Sequence, residues 1–124
     1  MAVTLTPYTH PNQTTTEFAF GPWRARMYTV TFDSSYDNTN GEVVTAATLG
    51  VDQVHGILTV VPPYDDGNDL AFQLVGVPNS TRSQIALRAF VFDGSAAGQQ
   101  AMEEATNTTD LSNFDKGVVV FLTT

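Results

Sequence analysis

Apolar and polar residues alternate along much of the chain, and each alternating run predicts a strand with one buried face. In the run 24–32, Tyr28, Val30 and Phe32 alternate with threonines. Similar apolar runs predict further strands at 43–45, 54–61, 70–77, 84–92 and 117–123. Asn-Gly and Asp-Gly pairs between the runs are typical of turns.

The segment 95–113 is the least regular part of the pattern. Residues 95–104 (SAAGQQAMEE) are good helix formers, but Gly94 and Gly98 weaken a helix there. The segment is compatible with either a short helix or, together with the polar tract through Asn113, a mobile loop. Short strands, frequent turns and little helix predict an all-β antiparallel sandwich or barrel. The pattern alone does not separate a jelly roll from an immunoglobulin-like sandwich.

Residues 1–22 differ from the rest, because Pro7, Pro11 and Pro22 disfavour regular strand pairing. We predict an extended N-terminal arm at 1–22 and a single β-sandwich domain at 23–124, a length that suits one domain. The arm and the first residue after it contain four aromatic residues: Tyr8, Phe18, Phe20 and Trp23. These rings either cap the open end of the sandwich or dock on a partner, and the two alternatives are about even. They are the candidate interface residues.

The composition of the chain limits the kinds of partner that it is expected to bind. The chain of 124 residues has a formal net charge of −8, which makes direct contact with nucleic acid unfavourable. No apolar run approaches the length that crosses a bilayer, so no membrane partner is expected. The absence of cysteine excludes disulfides, thiolate metal sites and cysteine nucleophiles.

The stretch 30–45, VTFDSSYDNTNGEVVT, raises the question of calcium, because Asp33, Asp37 and Glu42 lie close together in it. An EF-hand loop requires oxygen ligands and a glycine at fixed positions, and neither register of this stretch meets them. A strand followed by a turn at Asn40 and Gly41 is the favoured interpretation. The acidic stretch YDDGND at 64–69 is likewise interpreted as a turn rather than a cation site.

Catalytic residues are not evident. His10 and His55 lie in no known hydrolase or metalloprotease motif. Glu103 and Glu104 are adjacent, so on a regular element they diverge rather than face one another across a substrate. We therefore expect a protein that is not an enzyme, without catalytic residues, a metal site or a cofactor.

Two stretches carry a resemblance to a known family. A strand ending in FDSSY (residues 28–36, YTVTFDSSY) is followed by GEVVTAATLG at 41–50, and VHGILTVV reads as the next strand. This pattern resembles the head decoration, or cement, proteins of tailed bacteriophages. The likeness covers about a third of the chain, through Val61, and beyond that the later strands agree only in character.

The resemblance implies a jelly-roll sandwich that forms a homotrimer on the outer surface of the capsid. In the virion, after synthesis in the bacterial cytoplasm, it would bridge neighbouring subunits of the major capsid protein and stabilise the mature head. The alternative is a phage tail, fibre or head-surface module that binds a host receptor or glycan. In that case exposed aromatic side chains beside the acidic turns, such as Tyr36 and Tyr64, are expected to take part.

Overall fold

The structure is a computed structural model that describes residues 3–9, 17–68, 70–93 and 101–124. In these residues the chain forms strands and a single short helix. The strands are β1 Val3–Pro7, β2 Glu17–Phe20, β3 Trp23–Phe32, β4 Glu42–Thr45, β5 Val54–Val61, β6 Tyr64–Asp65, β7 Leu70–Ala71, β8 Gln73–Pro78, β9 Gln84–Asp93, β10 Ala101–Glu104 and β11 Gly117–Thr123. The helix α1 covers Ala46–Leu49 and follows β4 directly.

The first sheet has five strands, with β11 at its centre between β3 and β5. β1 and β2 both pair with β3, antiparallel, at different heights. Because residues of β3 in both ladders also pair with β11, β1 and β2 must share the other edge of β3, one after the other. This edge is therefore built from two short strands rather than one long strand.

The second sheet repeats this arrangement around β9. β8 pairs with one edge of β9 from Ile85 to Phe90. β4 and β10 take the other edge, β4 opposite the first residues of β9 and β10 opposite its last. A small ribbon of β6 and β7 lies apart from both sheets. All of these strand pairs are antiparallel.

The two sheets enclose the main hydrophobic core. Along β9, Ile85, Leu87 and Ala89 are fully buried, as their alternation predicts. From the facing sheet, Val30 and Phe121 are also fully buried. Transfer of a large apolar side chain from water to such a core contributes roughly 1.5–3 kcal/mol. The all-β class and the packing of antiparallel sheets are thus confirmed, and the finer jelly-roll topology remains a prediction.

Most predicted strands are found close to their expected bounds. β5 and β11 match the predicted ranges, and β3 and β9 are each one residue longer. The predicted strand 70–77 is interrupted at Phe72, whose N–H donates to the Pro63 carbonyl at 3.2 Å. The Phe72 ring is buried edge-on between Phe32 and Phe114, at centroid distances of 5.5 and 5.0 Å. Packing of this ring turns the backbone out of the strand.

Both alternatives for the segment, a helix over 95–104 or a mobile loop through Asn113, are wrong for residues 101–104, which form β10 along β9. Residues 94–100 lie outside the described part of the chain. Tertiary pairing with β9 overrides the helix preference of Ala, Met and Glu in this short segment.

The predicted arm 1–22 is described only in part. The expectation that its prolines disfavour regular strand pairing is wrong for the described residues, because β1, which includes Pro7, and β2 both pair with the edge of β3. Val3 and Leu5 pack against the main core. The division of the chain at residue 22 stays a prediction, and β1 and β2 complete the first sheet.

Candidate interaction surface

The β2–β3 hairpin carries three of the four predicted interface residues. Phe18 lies opposite Ala25 in the ladder, and Phe20 opposite Trp23. Since side chains alternate between the two faces of a strand, these residues lie on the face opposite to Tyr28. The rings of Phe20 and Trp23 are stacked, with centroids 6.5 Å apart and an interplanar angle of 19°.

Tyr8, the fourth predicted residue, follows β1. Its N–H donates to the Met27 carbonyl at 3.0 Å, so the pairing with β3 continues for one residue beyond the strand. Tyr8 therefore has the same facing as Met27, on the outer side of the sheet. The structure brings all four residues to one side of the five-stranded sheet, away from the main core.

We refer to this side as the outer apolar face. By strand register it consists of Tyr8, Phe18, Phe20, Trp23, Ala25, Met27, Gly56, Leu58, Val61, Val118, Val120 and Leu122. Threonines at the β1 end, such as Thr29, complete it. None of these positions carries a charge, although the chain has 13 acidic and 5 basic residues.

The centre of the outer apolar face is packed. Ala25, Val120 and Leu122 are buried, and Trp23 and Met27 pack against them as a second small core. Its margin is not covered, because Phe18 is 41%, Phe20 44% and Leu58 43% exposed. Exposed apolar side chains that surround a packed apolar centre are typical of protein interaction surfaces.

A basic and polar group borders this face beside Trp23. The His55 ring lies 6.5 Å from Trp23, centroid to centroid. Its Nδ1 accepts the Arg82 Nε–H at 3.0 Å, and its Nε2 lies 3.0 Å from the Thr124 hydroxyl. The Arg82 hydrogen bond requires a lone pair on Nδ1, so neutral His55 carries its proton on Nε2 and donates to Thr124.

The other sheet also exposes apolar side chains on its outer side. Val43 and Val75 are each 40% exposed, and Val77 is 48% exposed. Val43 and Val77 flank Ala86 on either side of β9. This second face differs from the first because Arg88 and Glu104 form an ion pair on it, with Nη1 and Oε1 2.8 Å apart.

The stretch 33–41 forms a loop that is held by hydrogen bonds and joins the two sheets. Tyr36 is buried in the main core, with 2% exposure. Its hydroxyl accepts the Ala89 N–H at 3.0 Å and donates to Glu104 Oε1 at 2.7 Å. Arg88 completes the network by donating to the carbonyls of Asn38 and Thr39. The expectation that Tyr36 presents an exposed ring to a glycan is therefore wrong.

The acidic residues of this loop bind backbone N–H groups. Asp37 Oδ1 accepts from Thr39 and Asn40, and these bonds hold the pKa of the Asp37 carboxyl below its usual value. Glu42 is 4% exposed and accepts the Asp37 N–H at 3.2 Å. Burial raises the pKa of the Glu42 carboxyl, and the negative charge of Asp33 adds to the rise.

Neither acidic stretch is arranged as a cation site in the described residues. No group of three or more His, Asp or Glu side chains lies close enough there to hold a metal ion. Asp65 instead accepts from the Gly67 N–H at 3.0 Å and the Asn68 amide at 2.8 Å, as a turn residue does. Asp69 and His10 lie outside the described residues.

The adjacent glutamates take different roles, as their spacing predicts. They lie on β10, where successive side chains face opposite sides. Glu104 belongs to the Arg88 and Tyr36 network, whereas Glu103 is exposed. This arrangement does not form the facing carboxylate pair of a glycoside hydrolase.

Sequence reasoning missed two features. The helix α1 is one; Thr45 caps it by accepting the Thr48 N–H at 3.2 Å, and Gly50 ends it with φ +69°. The threonine before an Ala-rich run and the following glycine were available signals. The valine face of the second sheet is the other, and only the strand register reveals it.

None of the described helices has the length and apolar character that a membrane span requires. Comparisons of the chain with protein family profiles, with curated proteins and with solved structures gave no match.

Proposed function

We propose that this chain is a non-enzymatic head decoration protein of a tailed bacteriophage. It binds the outer surface of the capsid and stabilises the mature head by bridging neighbouring subunits of the major capsid protein. The observation that carries the proposal is the outer apolar face, which gathers the four candidate interface residues into one uncharged, partly exposed surface. Such a surface suits assembly rather than chemistry.

The residues of the phage-like pattern have structural roles here. Phe32, Tyr36 and Leu49 are buried in the main core. Gly41 and Gly50 have φ values of +70° and +69°, which favour glycine. The pattern FDSSY…GE…LG therefore specifies a loop and two turns of the sandwich. It supports the proposal through the fold, whereas the outer apolar face supports it through the surface.

A stabilising role follows from mass action. A protein that binds the assembled shell, and not its separated subunits, shifts the equilibrium towards the shell. The homotrimer and jelly roll implied by the resemblance belong to this proposal. Three linked copies bind several capsid subunits at once, so each single contact need not be strong. The net charge of −8 suits a position outside the shell, away from packaged DNA.

A receptor-binding or glycan-binding module of the tail, fibre or head surface is the second candidate. One of its two candidate aromatics is removed, because Tyr36 is buried. Tyr64 is half-buried at the start of the acidic turn and is the remaining candidate. Among the described residues, the positions of the outer apolar face carry no charge, which favours a protein partner over a sugar.

The test is binding to phage heads that lack the protein, followed by sedimentation of the heads. We expect the full chain to co-sediment with heads at a saturable ratio and to increase their resistance to heat. The variant Phe20→Lys, which places a charge on the outer apolar face, should lose retention. The variant Val75→Lys on the opposite sheet serves as the matched control.

Equal retention of the Phe20→Lys and Val75→Lys variants would remove this face from the capsid contact. Absence of binding to heads, with cryo-electron microscopy density for the chain confined to the tail, would overturn the decoration proposal.

A further inference from the structure

We propose that the outer apolar face binds the same face of a second copy of this chain. The contact is isologous, about a two-fold axis that lies in the plane of the contact and perpendicular to the strands, so the strands of the two copies run antiparallel. The inference rests on the charge pattern of the described residues and concerns the free chain. Contact with a second copy and the proposed contact with the capsid compete for this face, so the dimer is the form that dissociates when the chain binds a head.

The first argument is that the face is uncharged in a strongly acidic protein. Two copies with a net charge of −8 each repel one another unless their contact keeps the acidic side chains apart. The outer apolar face meets this condition, since its strand positions are apolar or threonine, with His55 of β5 at its border. The valine face of the other sheet does not, because Arg88 and Glu104 lie on it.

The second argument is the polarity of the two ends of this sheet. At the end where β3 and β5 begin, Arg82 donates to His55, whose ring lies beside Trp23. Asp52 precedes β5 there, and Arg24 is paired with Glu17, so this end is close to neutral. At the opposite end, Asp65, Asp66 and Asp115 lie in the connections that follow β5 and precede β11. Among the described residues of that end, Lys116 lies 3.2 Å from Asp115 and 3.6 Å from Asp66, and the three aspartates leave an acidic excess.

A two-fold axis in the plane of the contact and perpendicular to the strands places unlike ends over one another. The end of one copy that carries Arg82 then lies above the acidic end of its partner, and this occurs twice in the dimer. A parallel arrangement would place the like-charged ends together. Charge complementarity therefore selects the antiparallel arrangement, and apolar burial provides the attraction.

The third argument is area. The face is about four strands wide and seven residues long, or roughly 19 Å by 23 Å from the strand spacing and rise. Two such faces, taken as flat, bury a total of about 900 Å². The uneven surface of the side chains adds to this area, which is in the range of weak specific contacts. We therefore expect a dimer whose population depends on concentration.

The decisive experiment is sedimentation equilibrium of the full chain across a concentration series at low salt. We expect reversible association to an even number of copies. Leu58→Glu should raise the dimer dissociation constant by about tenfold or more, since two copies of the carboxylate enter the contact. Val75→Glu is the matched control, because Val75 is 40% exposed against 43% for Leu58 and lies on the other sheet.

Charge exchange tests the antiparallel orientation. Arg82→Glu and Asp66→Lys should each weaken the dimer, and the double variant should restore it. Asp66→Lys is the sharper single variant because it lowers the net negative charge. If only net charge mattered, this substitution would tighten the dimer.

A chain that stays monomeric at its highest soluble concentration, or that forms only a trimer, would overturn the proposal. Equal effects of Leu58→Glu and Val75→Glu would also overturn it. A monomer that nevertheless binds phage heads through this face would identify the capsid as the occupant instead. Circular dichroism of each variant verifies that the fold is retained.

Discussion

The hydroxyl oxygen of Tyr36 lies 3.0 Å from the backbone nitrogen of Ala89 and accepts its N–H. Ala89 lies on the edge of β9 between the stretch paired with β4 and the stretch paired with β10. The side chain of a loop thus satisfies a strand N–H at the point where the edge changes partner. The same hydroxyl donates to Glu104 of β10, so the Tyr36 oxygen links the loop to both β9 and β10 by hydrogen bonds.

Tyr36→Phe is expected to destabilise the fold by about 1–3 kcal/mol, because the Ala89 N–H and the Glu104 carboxylate both lose a partner inside the protein. Urea unfolding followed by tryptophan fluorescence measures the change. The control Tyr64→Phe removes a hydroxyl from a half-buried ring and should change stability by less than about 0.5 kcal/mol. Indistinguishable effects of the two variants would contradict the role of the Tyr36 hydroxyl.

Glu42→Gln should stabilise the protein at neutral pH. Burial raises the pKa of Glu42 in the folded state, so its charged form opposes folding above that pKa. As pH falls through the raised pKa towards the ordinary value of 4.5, the wild type takes up a proton on folding and becomes more stable. The advantage of the variant should therefore shrink over this window and vanish below it.

Thermal unfolding of both proteins between neutral and acidic pH measures this difference. The lowered pKa of Asp37 acts in the other direction, since its contribution to stability is lost as pH falls below 3.8. Asp37 is present in the wild type and in the variant, so that loss lowers the stability of both proteins below pH 3.8. Glu103→Gln, at an exposed carboxyl of β10, is the control. A stability difference for Glu42→Gln that does not vary with pH would contradict the assignment.

Gly41→Ala should cost more stability than Gly21→Ala. Both glycines have positive φ, +70° and +58°, so an added Cβ strains both by about 1 kcal/mol. At Gly41 that Cβ would also lie 3.1 Å from both the Ala86 Cβ and the Leu87 carbonyl, whereas at Gly21 nothing lies within 4 Å. The difference between the two variants in chemical denaturation isolates the close approach. Equal losses would show that conformation alone requires Gly41.

Phe72→Ala should destabilise the protein by roughly 3–5 kcal/mol, because it removes the ring between Phe32 and Phe114 and leaves a cavity. Leu70→Ala is the neighbouring control, since Leu70 is 56% exposed and should cost less than about 1 kcal/mol. Calorimetric unfolding compares the two. A small effect at Phe72 would imply that the surrounding side chains collapse into the space.

The strands with strict alternation were predictable from the sequence. Ile85, Leu87 and Ala89 repeat every second residue, and this spacing alone predicts their burial. The interruption at Phe72 was not predictable, because it depends on a ring from a distant strand and on the Pro63 carbonyl. Local sequence patterns predict which residues are buried, but they do not predict which strands are neighbours in a sheet.

The candidate surface was predictable in its residues and not in its extent. Tyr8, Phe18, Phe20 and Trp23 stand out as aromatic residues in a proline-rich segment. Their alignment on one face depends on the pairing of β1 and β2 with the same edge of β3. Leu58 belongs to this face because β5 pairs with β11, which lies between β5 and β3 in the sheet. Register between distant strands is a tertiary property.

The central position of β11 also bears on how the protein folds. β3 and β5 are made early, but each has β11 as its inner neighbour in the sheet, and β11 is separated from β3 by more than 80 residues of chain. Contacts at such separation slow folding, because a large loop must close first. During synthesis the edges of β3 and β5 that face β11 stay unpaired until β11 has left the ribosome. Until then these edges can pair with strands of neighbouring chains and cause aggregation, which a chaperone would have to prevent.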